Sequence, residues 1–474
     1  MKNYWLLGFL LSGHFLAAQD VSVDKKLGAE GAAQVELEMG LYRHDSLQRL
    51  VTSVGNKLVS RLTKNPFEFK FFLVDSPEPN AFALPGGYIY VTRGILPLIQ
   101  TEDELAGIMA HEIIHVAQRH SVKQMKKGIV PSLLKVPGNL INKVTGTHLG
   151  NILNAPIELS SKAFISKYSR GHESEADRFG VQLAASAGYQ PAALADALNR
   201  LAREIEVLTG EAERRSYLSD HPYTPSRESA IRSSAPHYKP VNPSPITKSN
   251  QQFLKHFAGL CFGLNPQQGI FSDSLFVQPD LGFSWIIPSG WATLNKPTTV
   301  AAYSEKGDGL VALQLTDGKK KAHELGAEAK EKASQAKGNT LLAARDTVIN
   351  SFPAYLLRMK AADEKNVAIM EIIWLDYQSE VFQLAGVSTV PLASTLHQSL
   401  VSFRNCTATE KSSVQIYELH LAQSHPGETI KSLSERTGNR LKPELTSIIN
   451  NIRGDSALSE NQLIKVIKAR PYKQ

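Results

Sequence analysis

The sequence is poor in cysteine. Its 474 residues contain two, Cys261 and Cys406, and these do not follow a spacing such as C-x-x-C, so the sequence gives no indication of a thiolate metal site. The two thiols pair if the chain enters an oxidising compartment, or both stay reduced and buried. The sequence leaves these alternatives open.

Long apolar runs are missing from the body of the chain, where no window reaches the roughly 18 uninterrupted apolar residues of a membrane-spanning helix. The N-terminus differs, because Met1-Lys2 precedes a largely apolar stretch from Trp5 to Leu16, which ends at the small residues Ala17-Ala18. This order predicts a signal peptide over residues 1–18, with a retained anchor helix as the alternative. We therefore expect an exported chain with no transmembrane segment after signal removal, periplasmic or alternatively secreted.

Blocks of basic residues interleaved with aromatics are also lacking. The chain has 52 Lys and Arg against 45 Asp and Glu, a formal net charge of +7, so we expect no nucleic-acid partner. An apolar content of 42% and a charged content of 20% are typical of globular proteins. The length exceeds what one hydrophobic core usually organises and predicts two or three domains.

The segment His111-Glu112-Ile113-Ile114-His115 has the pattern H-E-x-x-H. Histidines four positions apart lie one turn apart on one helix face, where two neutral imidazoles can bind a single Zn²⁺. Glu112 would then lie beside the open position of the metal and act as the general base for a zinc-bound water, whose pKa the metal lowers to about 7. The pattern predicts one Zn²⁺ per chain, on a helix that begins after Thr101, where Glu104 completes a Ser/Thr-x-x-Glu arrangement.

A catalytic zinc needs a third protein ligand, and the sequence limits where it can come from. Gln118 and Ser121 stand where a metzincin would have Gly and His, which excludes that class. No Asp or Glu occurs from Ile113 through Ile157, so a downstream carboxylate ligand must lie further along the chain.

The acidic segment Glu173 to Asp177 meets this requirement. On a helix, Glu173, Asp177 and Gly180 share one face, while Glu175 points elsewhere. We expect Glu173 to be the third ligand and Asp177 to accept the other N–H of a ligand imidazole. Gly180 would let this helix approach the first one closely. The plainer alternative is a solvated acidic helix start.

Taken together, these motifs resemble the gluzincin metallopeptidases that include CAAX prenyl proteases, HtpX and their soluble periplasmic relatives. Four separated blocks within about residues 20–232 carry the resemblance: 80–91, 111–115, 173–177 and 220–227. The resemblance implies that His111, His115 and Glu173 bind zinc.

The resemblance also implies roles for residues outside the zinc ligands. His221 and Arg227 match a pair that faces the metal in relatives. A hydrogen-bond donor there would stabilise the oxyanion of the reaction. His221 could instead occupy the fourth metal position. An ordinary His-Pro turn is the alternative.

The resemblance further implies an edge strand that pairs with the substrate backbone, formed by Asn80, Ala81, Phe82 and Ala83. The alternative for these residues is a strand turned into the core. His120 and His148 are expected to face solvent.

The composition shifts to Pro, Ser and Asn near residues 239–245, which predicts a linker. We expect an α+β protein: a mainly helical protease domain with a short sheet over 20–245, a small α+β accessory domain over 246–408 including the linker, and a βααβ unit over 412–471. The last unit resembles a degenerate LysM domain, so peptidoglycan or an envelope-assembly partner is a candidate ligand. Partner docking or structural support would fit it equally.

The sequence therefore predicts a zinc endopeptidase that hydrolyses peptide bonds in exported or envelope proteins, with unfolded or misassembled polypeptides as substrates. One alternative is a chaperone-like or assembly-factor module whose zinc site is gated and seldom active. A purely structural zinc is the other, although such sites usually have four protein ligands and often cysteine.

Overall fold

The computed structural model describes residues 21–63, 65–125, 168–209, 221, 225–335, 339–362, 367–453 and 456–473. The predicted signal peptide over residues 1–18 lies outside these ranges, as does His148. Asp220 and residues 222–224 of the predicted His-Pro turn also lie outside them.

The described residues form helices and strands in all three predicted units. The helices are α1 Ser22–Glu38, α2 Asp45–Val59, α3 Glu102–Ala117, α4 His120–Met125, α5 Arg170–Ser186, α6 Ala193–Thr209, α7 Pro225–Ser234, α8 Asn250–Lys255, α9 Ala322–Gln335, α10 Ala393–Leu400, α11 Ala408–Ser413, α12 Ile430–Thr437 and α13 Pro443–Ile449. The strands are β1 Lys70–Val74, β2 Ala81–Leu84, β3 Tyr88–Thr92, β4 Cys261–Phe262, β5 Ile270–Ser272, β6 Leu275–Gln278, β7 Phe283–Ile286, β8 Ala292–Lys296, β9 Thr299–Tyr303, β10 Gly309–Leu315, β11 Asn339–Ile349, β12 Phe352–Ala362, β13 Val367–Tyr377, β14 Glu380–Thr389, β15 Arg404–Asn405, β16 Gln415–Gln423 and β17 Leu463–Pro471. The predicted α+β class is confirmed.

The N-terminal domain combines helices with a three-stranded sheet of order β1-β3-β2, in which β1 runs parallel and β2 antiparallel to β3. One hydrophobic core joins α2, the sheet, α3, α5 and α6. Helix α3 lies at its centre, and residues Leu105 to Val116 are all buried. The helix that carries the H-E-x-x-H pattern is therefore held from every side.

The ends of α3 follow from local chemistry. The Thr101 hydroxyl accepts a hydrogen bond from the backbone N–H of Glu104 at 3.2 Å, which satisfies one of the unpaired donors of the first turn. The Glu104 carboxylate accepts from the N–H of Gln100 at 2.7 Å and pairs with the buried Arg200 at 2.8 Å. At the other end Arg119 has a left-handed backbone, with φ +57°, which ends α3 and starts α4 in a new direction.

The accessory unit contains a seven-stranded antiparallel sheet of order β11-β12-β13-β14-β10-β9-β8. Helix α9 covers one face through Ala322 and Ala329. Helix α10 covers the other through Leu396 and Leu400, together with a four-stranded sheet of order β15-β7-β6-β5. Residues 238–249, which precede α8 and include the predicted linker, have no regular secondary structure. Alternating buried side chains on both faces explain why two layers cover one sheet.

The last unit has the order strand, helix, helix, strand, with β16 antiparallel to β17. It is packed against the N-terminal domain, because Leu419, Ile448 and Ile467 belong to the same hydrophobic core as α3. The segment from α8 to β4 lies between them, and β4 pairs with β16. The N-terminal and C-terminal units therefore share an interface although residues 246–411 separate them in the chain.

Both cysteines are free thiols, Cys261 buried on β4 and Cys406 partly exposed. Within the described ranges, no helix combines the length and the apolar character needed to cross a membrane.

Candidate metal centre

Two histidines on α3 bring their Nε2 atoms to within 2.9 Å of each other. His111 and His115 are one helical turn apart, and both are fully buried at 0% and 1% exposure. Nitrogen atoms at this distance in a buried site repel each other unless a proton or a cation lies between them. The α3 pair therefore has the arrangement that the sequence predicts for two metal ligands.

Glu173 reaches the same point from α5. Ser169 caps this helix by accepting from the N–H of His172, so Glu173 lies in the first turn with its carboxylate directed towards α3. Its Oε1 lies 3.4 Å from Nε2 of His115, and its Oε2 lies 3.5 Å from Nε2 of His111. The carboxylate is buried, with a side-chain exposure of 3%.

His221 completes the cluster. Its Nδ1 lies 3.2 Å from Nε2 of His111 and 3.1 Å from Oε1 of Glu173. The ligand atoms of His111, His115, Glu173 and His221 all lie within 4.8 Å of one another. In this conformation His221 occupies the corner that a catalytic zinc site leaves to water or substrate.

The spacing of these atoms suits a small tetrahedral ion. Bond lengths of about 2.0–2.1 Å give ligand-to-ligand separations of about 3.3 Å in a tetrahedron, and five separations between these side chains, which involve both oxygens of Glu173, run from 2.9 to 3.5 Å. Three nitrogens and one carboxylate oxygen are ligands that Zn²⁺ accepts. The residues therefore fit the predicted zinc.

A second layer of contacts fixes the ligands. The Nδ1 of His111 lies 3.0 Å from Oδ1 of Asp177, so the Asp177 carboxylate receives the ring N–H that the metal does not use. Arg227 on α7 donates to both oxygens of Asp177, at 2.7 and 2.8 Å, and its Nη1 lies 2.8 Å from Oε2 of Glu173. Arg227 also donates to the backbone carbonyl of His221 at 3.2 Å. One guanidinium therefore contacts two carboxylates and the backbone carbonyl of His221.

The charges in the site reinforce each other. Burial disfavours the ionised carboxylates, but His221 and the two α3 histidines outweigh it and hold the pKa of Glu173 well below its usual range. For Asp177 burial is likewise outweighed, by His111 and Arg227, so its pKa is lowered. In turn Asp177 and Glu173 overcome the burial of His111 and raise its pKa to about 9. Both carboxylates are therefore charged at neutral pH, as a metal site requires.

Glu112 is adjacent to the cluster and has no exposure to solvent. Its Oε1 lies 3.4 Å from Nε2 of His221. The His221 ring therefore lies between Glu112 and Glu173, with Nδ1 towards the ligand atoms and Nε2 towards the predicted general base. Despite burial, these two carboxylates raise the pKa of His221.

The prediction that His120 faces solvent is wrong. His120 is fully buried, and its Nδ1 lies 3.0 Å from Nδ1 of His115. Its Nε2 lies 3.1 Å from Oε2 of Glu175, and its ring stacks on His172. The positive φ of Arg119 causes the difference, because it turns the chain so that residue 120 returns alongside α3. An uninterrupted helix would have directed it away.

Tyr168 covers one face of the His115 ring. Its ring stacks on the imidazole with a centroid distance of 3.9 Å, and its hydroxyl lies 2.8 Å from Oγ of Ser121. The sequence contained no signal for this contact, because stacking between residues 53 positions apart depends on tertiary structure.

The predicted substrate-binding strand is β2, at the edge of the three-stranded sheet. Ala81, Phe82 and Ala83 pair with β3 and have buried side chains. Asn80 precedes the strand, and its N–H donates to the Thr92 hydroxyl at 2.8 Å. The side chains thus point into packed structure, as the alternative reading of this strand expects, while the strand keeps an edge position in the sheet.

Comparison with known proteins gives a family match over residues 43–235, described as "Peptidase family M48". This range includes every predicted metal, catalytic and substrate-binding residue.

Several relatives are proteases. A "Putative beta-barrel assembly-enhancing protease" of Vibrio cholerae is 32% identical over 203 residues, 42% of this chain and 41% of the relative. The "Beta-barrel assembly-enhancing protease" of Yersinia pestis is 30% identical over 244 residues, 50% of this chain and 49% of the relative. "Metalloprotease LoiP" of Escherichia coli is 28% identical over 186 residues, 38% of this chain and 68% of the relative. The chain thus spans about half the length of the first two relatives.

Proposed function

We propose that the chain is a zinc-dependent endopeptidase, a proposal supported by the match of residues 43–235 to Peptidase family M48. The observation that carries the proposal is the convergence of His111, His115, Glu173 and His221 on one buried point, with Glu112 beside it. Separations that match a tetrahedral ion and the absence of a sulfur ligand in this group both support zinc bound for catalysis.

In this function His111, His115 and Glu173 hold the ion. The chemistry that zinc would supply there is Lewis-acid activation of a water, whose pKa would fall to about 7, and of the scissile carbonyl. Glu112 takes the proton from the attacking water and passes it to the leaving amine, a role that typically contributes about 10²–10⁴-fold to the rate. The site is closed to solvent, which strengthens each of these electrostatic contacts.

The roles of His221 and Arg227 follow from their contacts. His221 gates the site, since its Nδ1 occupies the fourth corner until the ring moves aside for water and substrate. Moved aside, its Nε2 is available to donate to the oxyanion. Arg227 acts chiefly by positioning, because Asp177, Glu173 and the His221 carbonyl already take up its guanidinium. Direct contact of Arg227 with the oxyanion stays a prediction.

Substrate would bind as an extended strand beside β2. Residues Asn80 to Ala83 precede the loop that leads to β3, and the strand lies at the sheet edge among the described residues. Pairing through backbone hydrogen bonds gives affinity with little dependence on sequence. Such a mode suits unfolded or misassembled polypeptides, whose backbone is accessible.

The substrates we propose are exported or envelope proteins. Support comes from the names of the relatives, which describe proteases that enhance β-barrel assembly, and from the signal-peptide pattern at residues 1–18. We propose the periplasm as the location, with secretion as the alternative. The βααβ unit, which resembles LysM, would bind peptidoglycan or an envelope-assembly partner.

A second candidate function is a chaperone-like or assembly-factor module with a gated, rarely active zinc site. The position of His221 favours it, because four protein ligands leave no corner for water in this conformation. Substrate binding without turnover would be its signature, whereas a peptidase must release His221 during each cycle.

Cleavage by a Glu112→Gln variant separates the two. Purified protein would be assayed for zinc content and for cleavage of an unfolded substrate such as casein. The peptidase proposal predicts wild-type zinc content and a loss of cleavage of about 10²-fold or more. Glu204→Gln is the matched control, since it replaces a buried carboxyl outside the cluster and should keep cleavage. Normal cleavage by Glu112→Gln would overturn the assigned base, and no cleavage by wild type would favour the chaperone-like function.

A further inference from the structure

The two α3 ligands differ in the group that their outer nitrogen meets among the described residues: a carboxylate for His111 and another imidazole for His115. The Nδ1 of His111 lies against Asp177, 3.0 Å away. The Nδ1 of His115 instead meets Nδ1 of His120 at 3.0 Å. The second nitrogen of His120 continues to Oε2 of Glu175 at 3.1 Å. The path from His115 to a carboxylate therefore passes through one additional imidazole.

The direction of each hydrogen bond in this path is determined by its ends. The Nε2 of His115 points to the cluster and must be unprotonated to bind an ion, so its proton lies on Nδ1. His115 then donates to Nδ1 of His120, which must be the acceptor. The His120 proton is left on Nε2 and is donated to Glu175, whose ionised carboxylate can only accept. Only one arrangement of protons satisfies all three groups.

The surroundings of His120 hold its ring in this orientation. The side chain is fully buried and stacks on His172 with a centroid distance of 4.4 Å and an interplanar angle of 8°. Glu175, in contrast, keeps 33% of its side chain exposed. The path thus begins at a buried ligand and ends at a carboxylate near the surface, on the same helix that provides Glu173.

We propose that His120 and Glu175 are positioning residues that fix the tautomer and orientation of the ligand His115, as Asp177 does for His111. This inference rests on the proposed zinc function of the cluster. It makes α4 part of the metal centre, although α4 contributes no ligand. Outer partners of ligand histidines typically contribute 10- to 100-fold to metal affinity.

The alternative is that His120 only fills space between α4 and α5. The contacts favour the positioning role, because a space-filling ring would not need both nitrogens within hydrogen-bond distance of polar partners. An apolar residue of similar size would provide the packing alone. Replacement by Leu and by Asn therefore separates packing from hydrogen bonding, since the amide oxygen of Asn can accept where Nδ1 of His accepts.

The test uses the full chain with zinc and cobalt as probes. Zinc dissociation constants would be measured by competition with a chelator for wild type, His120→Leu, His120→Asn and Glu175→Ala, with His172→Phe as the matched control that keeps the ring stack. The visible spectrum of the Co²⁺ forms reports ligand geometry independently of activity. Thermal unfolding of the metal-free proteins shows whether each variant folds.

We expect His120→Leu to weaken zinc binding 10- to 100-fold and to change the Co²⁺ spectrum, and His120→Asn to recover part of the affinity. Glu175→Ala, at a partly exposed site, should fold and weaken binding by a smaller factor, so it decides the question even if His120→Leu does not fold. The positioning role would be overturned if His120→Asn and Glu175→Ala both kept the zinc affinity and Co²⁺ spectrum of the wild type. In that case the loss would be confined to His120→Leu, as a result of its failure to fold. A wild-type chain that binds no zinc would instead overturn the proposed function.

Discussion

Gly180 lies directly against the backbone of His111. A Cβ at position 180 would meet the His111 nitrogen at 3.1 Å and its Cα at 3.2 Å, closer than nearly all such contacts in proteins. This contact sets the distance between α3 and α5, and hence the distance between the histidine pair and Glu173. The metal centre therefore depends on the absence of a side chain as well as on the ligands.

We expect Gly180→Ala to force α3 and α5 apart and to lower zinc affinity several-fold or more. Overpacking of this kind usually costs about 1–3 kcal/mol of stability. Gly107→Ala is the matched control, because a Cβ there would meet Leu194 at the same 3.1 Å but on the α6 side of α3. Zinc titration and urea unfolding should show similar destabilisation in both variants and weakened zinc binding only in Gly180→Ala. Equal zinc affinity in the two would mean that this contact does not set the ligand geometry.

His221→Ala tests the gate. Removal of a ring that occupies the fourth corner should raise peptide cleavage, by about tenfold where closure is favoured by about 1.4 kcal/mol. Zinc should stay bound through His111, His115 and Glu173. Cleavage assays with zinc analysis would include His237→Ala, an exposed histidine outside the cluster, as the unaffected control. Slower cleavage with zinc retained would make His221 a participant in the reaction instead of a gate.

A buried carboxyl lies between the N-terminal and C-terminal units. Glu204 lines a pocket of about 220 Å³ together with Pro97, Cys261 and Ile449. It is 8% exposed, and its Oε2 has no hydrogen-bond partner within the structure described. Burial without a partner raises the pKa of Glu204 from 4.5 to about 7.

This shift predicts a pH dependence of stability with a defined sign. The folded protein holds a proton on Glu204 that the unfolded chain releases above pH 4.5. The contribution of this bound proton to the free energy of unfolding is therefore complete below pH 4.5 and is lost as the pH rises to about 7. The stability of Glu204→Gln relative to wild type should therefore rise by up to about 3 kcal/mol over this window and then level off. Urea unfolding at several pH values would measure it, with the exposed Glu206→Gln as the control. A constant difference across the window would contradict the raised pKa.

Lys465 joins the last strand to the N-terminal domain. Its ammonium group is fully buried and donates to the backbone carbonyls of Pro97, Ile99 and Ile449 at 2.7, 2.7 and 3.0 Å. We expect Lys465→Met to destabilise the protein by about 2–5 kcal/mol, because three buried carbonyls lose their donor.

Lys468→Met provides the matched control, since Lys468 lies exposed on the same strand. Urea unfolding should show little change for this variant. Limited proteolysis should release the C-terminal unit more readily from Lys465→Met than from wild type. Unchanged release and stability would mean that Lys465 does not hold the two units together.

Local sequence patterns were sufficient for the parts of the site that depend on one helix at a time. The i, i+4 spacing of His111 and His115 and the shared face of Glu173 and Asp177 are properties of the helix itself. The Thr101 cap is equally local, whereas the Glu104 carboxylate accepts from the Gln100 N–H and pairs with Arg200.

Contacts made by tertiary structure could not be predicted in this way. Helical periodicity predicts the wrong side for His120, because it does not anticipate the left-handed residue Arg119. Lys465 is a residue type that is almost never fully buried without partners, and its partners lie on segments remote in sequence. The packing of the last unit against α3 depends on the same kind of long-range contact.

The most direct test of the account is X-ray absorption at the zinc edge of the purified, zinc-loaded chain. We predict a coordination shell of nitrogen and oxygen only, at about 2.0–2.1 Å, with the outer scattering of imidazole rings. The double variant His111→Ala/His115→Ala should lose both the zinc and this signal. A sulfur scatterer in the shell, or an unchanged spectrum in the double variant, would place the ion elsewhere and contradict the assignment of the centre.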